Sequence, residues 1–177
     1  MKKKLLFGCL FIIATAAHSQ KRSLEIGGKL ISELYDQRYG PGIGLQSIYK
    51  FTPHSGIESG LYYKIIPEKY MVYTNGTYSE TKMNQKIIMI PVLYRFESRL
   101  VNFTAGGTAN FLLNYKETGK ELSYWSGNFQ IGSEVSISKN LHLGRSWIFE
   151  PELRFSAPIP DGGVYSALNF SLRKKIF

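Results

Sequence analysis

The chain has 177 residues, 44% hydrophobic and 14% aromatic, with a formal charge of +9 and one cysteine. That length supports one domain with a sizeable core. A single cysteine excludes an intrachain disulfide, and a basic balance suits anionic lipid headgroups.

The first nineteen residues read as a secretory signal. Lys2, Lys3 and Lys4 form a basic start, Leu5 to Ala17 an apolar run, and Ala17-His18-Ser19 a small-x-small cleavage site. The mature chain is expected to begin at Gln20, so residues 20–177 form the folded domain. Removing three lysines leaves 19 basic against 13 acidic residues, a charge of +6. Cys9 leaves with the signal, which removes thiol catalysis. An exported protein is not expected to meet nucleic acid. No later stretch is apolar enough for a spanning helix, so this chain would cross a membrane only as a closed barrel.

Eight strands are predicted, each with period two. The first covers Ser23–Tyr35, with Leu24, Ile26, Gly28, Leu30 and Leu34 on one face and Glu25, Lys29 and Glu33 on the other. Asp36–Pro41 reads as a loop. The second strand, Gly42–Phe51, points Ile43, Leu45, Tyr49 and Phe51 outward and Gln46 and Lys50 inward. A tight turn at Thr52–Ser55 precedes the third strand, which begins at Gly56. Its Ile57, Leu61, Tyr63 and Ile65 point out, and Glu58, Tyr62 and Lys64 point in.

Asn75-Gly76, within Pro67–Thr81, predicts a type I′ hairpin turn. The tyrosines on either side suggest that strands three and four run beyond the membrane as a ribbon. The fourth strand, Lys82–Phe96, carries Pro91 in its interior, and a bulge is expected there. After a turn at Glu97–Leu100 comes Val101–Tyr115, an unusually long alternation: Val101, Phe103, Ala105, Phe111 and Leu113 against Asn102, Thr104, Thr108, Asn110 and the exceptional Leu112. Lys116–Leu122 is a polar loop. The sixth strand, Ser123–Ser138, turns at Lys139-Asn140 into the seventh, Leu141–Ser156. Ala157–Gly163 leads to the eighth, Val164–Phe177.

Apolar-out, polar-in alternation with aromatics near the strand ends (Tyr49, Tyr63, Tyr94, Tyr115, Trp125) is what a lipid-embedded barrel requires. Short connections after even strands and longer ones after odd strands fit periplasmic turns and outer loops. The expected architecture is an all-β, eight-stranded, antiparallel, up-and-down transmembrane barrel. A soluble lipocalin-type barrel is the alternative, with the apolar faces turned inward instead.

Parity places twelve charges in the lumen: Glu25, Glu33, Glu58, Glu134, Glu150 and Glu152 against Lys29, Lys50, Lys64, Arg95, Arg154 and Arg173. Buried charges need partners, and an eight-stranded lumen is narrow enough for side chains to fill. The balance of signs favours a compensated core over a conducting path. Catalytic chemistry is poorly supplied. His54 and His142 both fall near the periplasmic end, whereas a lipid A-modifying hydrolase needs its serine–histidine pair toward the outer leaflet. Two separated histidines without cysteine make no metal cluster. No cofactor and no enzyme activity are expected.

The segments Gly56–Tyr63 (GIESGLYY), Ile88–Phe96 (IMIPVLYRF), Phe103–Asn110 (FTAGGTAN) and Phe149–Phe155 (FEPELRF) together resemble the outer-membrane β-barrel proteins common in Bacteroidetes, the PorT-like group, with the architecture of small OmpA-like barrels. The resemblance implies the barrel fold and the outer membrane. It carries no catalytic residues, and a role in type IX secretion is not transferred. Outer-membrane lipid and lipopolysaccharide are the expected surroundings. A surface or periplasmic protein partner would meet the loops near Asp36–Pro41, Pro67–Thr81 and Lys116–Leu122. At the C-terminus, Phe177 falls on the opposite parity to Leu168, Phe170 and Leu172, so either the chain departs from the usual terminal-aromatic assembly signal or the strand ends near Arg173 with a short basic tail.

Overall fold

The computed structural model describes residues 22–35, 38–74, 77–116, 129–159 and 163–177. The predicted signal segment lies outside the described residues. So do Asn75-Gly76, most of the Lys116–Leu122 loop and the start of the predicted sixth strand.

Among the described residues there are nine strands: β1 (Ser23–Tyr35), β2 (Arg38–Lys50), β3 (Ser55–Thr74), β4 (Thr77–Glu97), β5 (Asn102–Lys116), β6 (Phe129–Ser138), β7 (Leu141–Leu143), β8 (Trp147–Ile159) and β9 (Tyr165–Lys175). They pair antiparallel in the order β6-β5-β4-β3-β2-β1-β9-β8, and β6 pairs back to β8. Eight long strands therefore close into a barrel, and closure satisfies both edges of every stave. The sequence dictates the orientation of each strand. Along β4, Ile90, Val92, Tyr94 and Phe96 are exposed while Met89, Pro91, Leu93 and Arg95 are buried. The same alternation repeats in β6 and β9. The exterior is apolar and the interior holds the charges, the reverse of what a soluble ligand-binding barrel needs.

Aromatic side chains sit on the outside near both ends. Tyr49 and Tyr94 share a row of the sheet through Ile57, and Phe96 pairs with Phe103. At the far end, Tyr63, Phe111 and Phe129 share a row through Ile88. Rings placed at two levels of an apolar band match the girdles of a membrane barrel.

The structure corrects several boundaries. β2 begins at Arg38, so the expected loop after β1 shrinks, and pairing continues to Tyr35↔Arg38. β3 and β4 stay paired as far as Thr74↔Thr77, flanking Asn75-Gly76. Twenty residues of β3 extend roughly 66 Å at strand rise, against the 9–11 residues that a tilted strand needs to span a bilayer. The reach of the β3–β4 ribbon thus comes from the strands themselves.

Pro91 causes no bulge. It keeps register with Thr108 on β5, while the β3–β4 pairing skips Gly60 and Leu61 and resumes at Tyr62↔Met89. Proline lacks the donor for one ladder bond, and the loss is confined to that gap. Nearby, the Ser59 hydroxyl donates to the Pro91 carbonyl at 2.8 Å. The register shift falls instead at Lys86/Ile87, where β5 passes from Asn114 to Leu112 and leaves Leu113 without a partner.

The predicted seventh strand is two. Leu141–Leu143 folds back on β8, pairing Leu143 with Trp147 across a turn whose Gly144 has a φ of 75°. That left-handed conformation favours glycine. β9 ends at Lys175, two residues past Arg173 and two short of Phe177. The tail stays bonded to β1, with the Ile176 amide donating to the Leu24 carbonyl at 2.8 Å.

A packed and charge-paired lumen

The candidate site is built from lumen-facing positions of all eight long strands. β1 supplies Glu25, Lys29 and Glu33; β2 supplies Lys50; β3 supplies Glu58 and Lys64; β4 supplies Arg95; β6 supplies Glu134; β8 supplies Glu150, Glu152 and Arg154; β9 supplies Arg173. Eleven of these are buried, and Lys50 is partly exposed at the mouth. β5 contributes uncharged polar groups: Asn102 donates to Glu150 at 3.3 Å, and the Thr104 and Ser136 hydroxyls share a hydrogen bond of 2.6 Å.

Ten of the twelve charges form one chain of alternating sign. Lys50 meets Glu25 at 2.7 Å, and Glu25 accepts from Arg173 at 3.1 Å. Arg173 pairs with Glu150, which Arg95 also contacts at 2.5 Å. Arg95 reaches Glu58 at 2.9 Å, and Lys29 bridges Glu58 at 2.9 Å to Glu152 at 2.7 Å. Arg154 joins Glu152 at 2.5 Å, Glu58 at 3.2 Å and Glu134 at 2.6 Å. The remaining pair, Lys64 and Glu33, lies toward the ribbon end at 2.8 Å. In a low-dielectric interior each ion needs an opposite charge at contact distance. Here every one of the twelve has it.

Tyr62 occupies the middle of the lumen. Its ring has Lys29 Nζ at 5.6 Å and Arg154 Cζ at 5.9 Å from its centroid, within cation–π range. The ring lies over Gly44 and Gly60, where a β-carbon would collide with it. Ile31, Met89 and Ala167 pack around it. Toward the ribbon end, Ile66, Ile87 and Tyr165 form a second apolar cluster against Leu112. This explains why Leu112 interrupts an otherwise polar face. A pocket of about 30 Å³ remains beside Glu33, Lys64 and Asn110, room for roughly one or two water molecules.

Parity did not reveal everything. Glu97 accepts from Lys50 at 2.6 Å and from Arg95 at 2.8 Å. It shares the parity of Arg95 and lies one residue past the predicted strand end. Asn140, expected only as a turn residue, accepts from Arg173 at 2.9 Å and Arg95 at 3.3 Å. Ser138 donates to Glu150. Buried Ile48 and Leu93 fill volume on a face expected to be polar.

Both described histidines lie at the turn end. His54 Nδ1 is 2.9 Å from the main-chain oxygen of Glu97, and His142 is exposed in β7. Among the described residues no group of three His, Cys, Asp or Glu side chains could hold a metal ion.

This arrangement is the fold of a small outer-membrane barrel. Solved structures of Ail, the attachment invasion locus protein of Yersinia pestis, share it. The complex of Ail with the heparin analogue sucrose octasulfate aligns at a TM-score of 0.53 and 10% identity, covering 88% of this chain and 97% of that one. Ail in a phospholipid bilayer nanodisc aligns at 0.52 and 10% identity, covering 88% and 100%. Neisserial surface protein A aligns at 0.46 and 12% identity, covering 86% and 96%. No family model and no curated protein matches the chain.

Proposed function

We propose that the chain is a small protein of the outer membrane with a structural or surface-interaction role, no enzymatic activity and no conducting lumen. The observation that carries this is the ten-residue chain of alternating charge, which occupies the space a pore or a substrate would need. The strand ends with short turns and both described chain ends face the periplasm. The β3–β4 ribbon faces outward as the element that meets a surface partner. Membership of the PorT-like Bacteroidetes barrels is part of the proposal and rests on the sequence motifs. No secretion role is included.

Cell fractionation with gel analysis tests it. The protein is expected in the outer-membrane fraction, migrating differently before and after boiling. Recovery as a soluble periplasmic protein with no boiling shift contradicts the reading. The lipid A mass spectrum of a deletion strain is expected to match the parent. An altered acyl pattern would instead support a lipid A-modifying enzyme.

A further inference from the structure

At the turn end the packed lumen opens into a vestibule of about 790 Å³, within the size range of small-molecule sites. Six cationic side chains line it: Arg22 ahead of β1, Lys50 at the end of β2, Arg99 in the β4–β5 turn, Lys139 after β6, Arg145 in the β7–β8 turn and Lys175 at the end of β9. They come from six separate places in the chain and converge on one concavity.

The acids present there leave four of the cations without a carboxylate. Glu25 and Glu97 are the carboxylate side chains in the lining. Glu25 is held by Lys50 and Arg173, and Glu97 by Lys50 and Arg95. Arg99, Lys139, Arg145 and Lys175 have no carboxylate partner among the described residues. Like charges gathered around a concave mouth raise the local positive potential and concentrate anions there.

We infer that this vestibule binds a phosphate-bearing anion. A cationic excess of this size favours a ligand with several charges over a single carboxylate. Guanidinium groups match phosphate oxygens with paired donors. A soluble polyphosphorylated molecule and a phospholipid headgroup of the inner leaflet share this chemistry. The inference rests on the barrel reading only for the side of the membrane that the vestibule faces.

The test is a calorimetric titration of inorganic tripolyphosphate into the folded full-length barrel in an uncharged detergent. Saturable binding is expected. An Arg99→Ala/Arg145→Ala variant is expected to bind at least about tenfold more weakly, the effect of one lost charge-assisted contact or more. Lys174→Ala is expected to change nothing, because Lys174 lies over the Trp147 ring at 6.0 Å rather than in the vestibule. Absence of saturable binding, or an equal loss from Lys174→Ala, overturns the inference. Repeating the titration in phosphatidylcholine vesicles with and without phosphatidylglycerol separates the sources. Unchanged affinity identifies a soluble ligand, and affinity abolished by the anionic lipid identifies headgroups. Loss of the boiling shift in the unmodified protein would refute the barrel itself, a result distinct from failure to bind.

Discussion

The ring of Tyr62 packs on the backbone of Gly44, its register partner across the β2–β3 pair. A β-carbon at Gly44 would overlap ring atom Cδ1 and the carbonyl oxygen of Leu61. The second obstacle is main chain, so a ring rotation does not relieve it. Gly28, in the neighbouring strand, has only the Gly44 carbonyl oxygen nearby, at 4.0 Å. Gly44→Ala is therefore expected to destabilise the barrel by about 1–3 kcal/mol, the range for overpacking a filled core. Gly28→Ala should be close to neutral. Urea unfolding in detergent, followed by the gel shift, measures both; equal effects would contradict the packing described.

Glu58 stands where the charge chain branches. Lys29, Arg95 and Arg154 all contact its fully buried carboxylate. Glu58→Gln leaves three cations around a neutral side chain, and removing one member of a buried ionic cluster costs about 3–5 kcal/mol. Glu33→Gln takes a carboxylate from Lys64 alone among the described ion pairs, and a smaller loss is expected. The same unfolding assay ranks the two. If Glu33→Gln costs as much as Glu58→Gln, the branched network does not carry the stability assigned to it.

The filled lumen also predicts an electrical result. Planar-bilayer recordings of the refolded protein should show no steady single-channel steps, because the charge chain fills the lumen among the described residues and the pocket of about 30 Å³ beside Glu33 and Lys64 has room for roughly one or two waters. A reproducible open level in the unmodified protein would mean that the charge chain is a path rather than a plug.

Much of this was legible in the sequence because period-two alternation propagates along a strand and fixes every side chain to one face. β1 matches its predicted bounds, and the twelve charges assigned to the lumen by parity all meet oppositely charged partners there. The split of the seventh strand was not legible, for a geometric reason. Leu143 and Trp147 are cross-strand partners in the small hairpin, and such partners share a face. Alternation therefore runs unbroken through the turn, and Gly144 is the sole local signal. Glu97 was missed because it lies at a strand end, where periodicity is weakest. Ile48 and Leu93 were missed because polarity was expected of every inward position, whereas a narrow barrel must also fill volume. Pro91 signalled a missing ladder bond correctly, but a gap met that loss in place of a bulge.

Apolar faces of the strands meet lipid, and charged faces fill the lumen. Single-cysteine scanning of residues 90–96 in the refolded barrel tests this most directly, using a lipid-soluble thiol probe in vesicles. Cysteines replacing Ile90, Val92, Tyr94 and Phe96 should react, and those replacing Pro91, Leu93 and Arg95 should be protected. Reaction at the odd positions with protection at the even ones would invert the barrel and contradict the account.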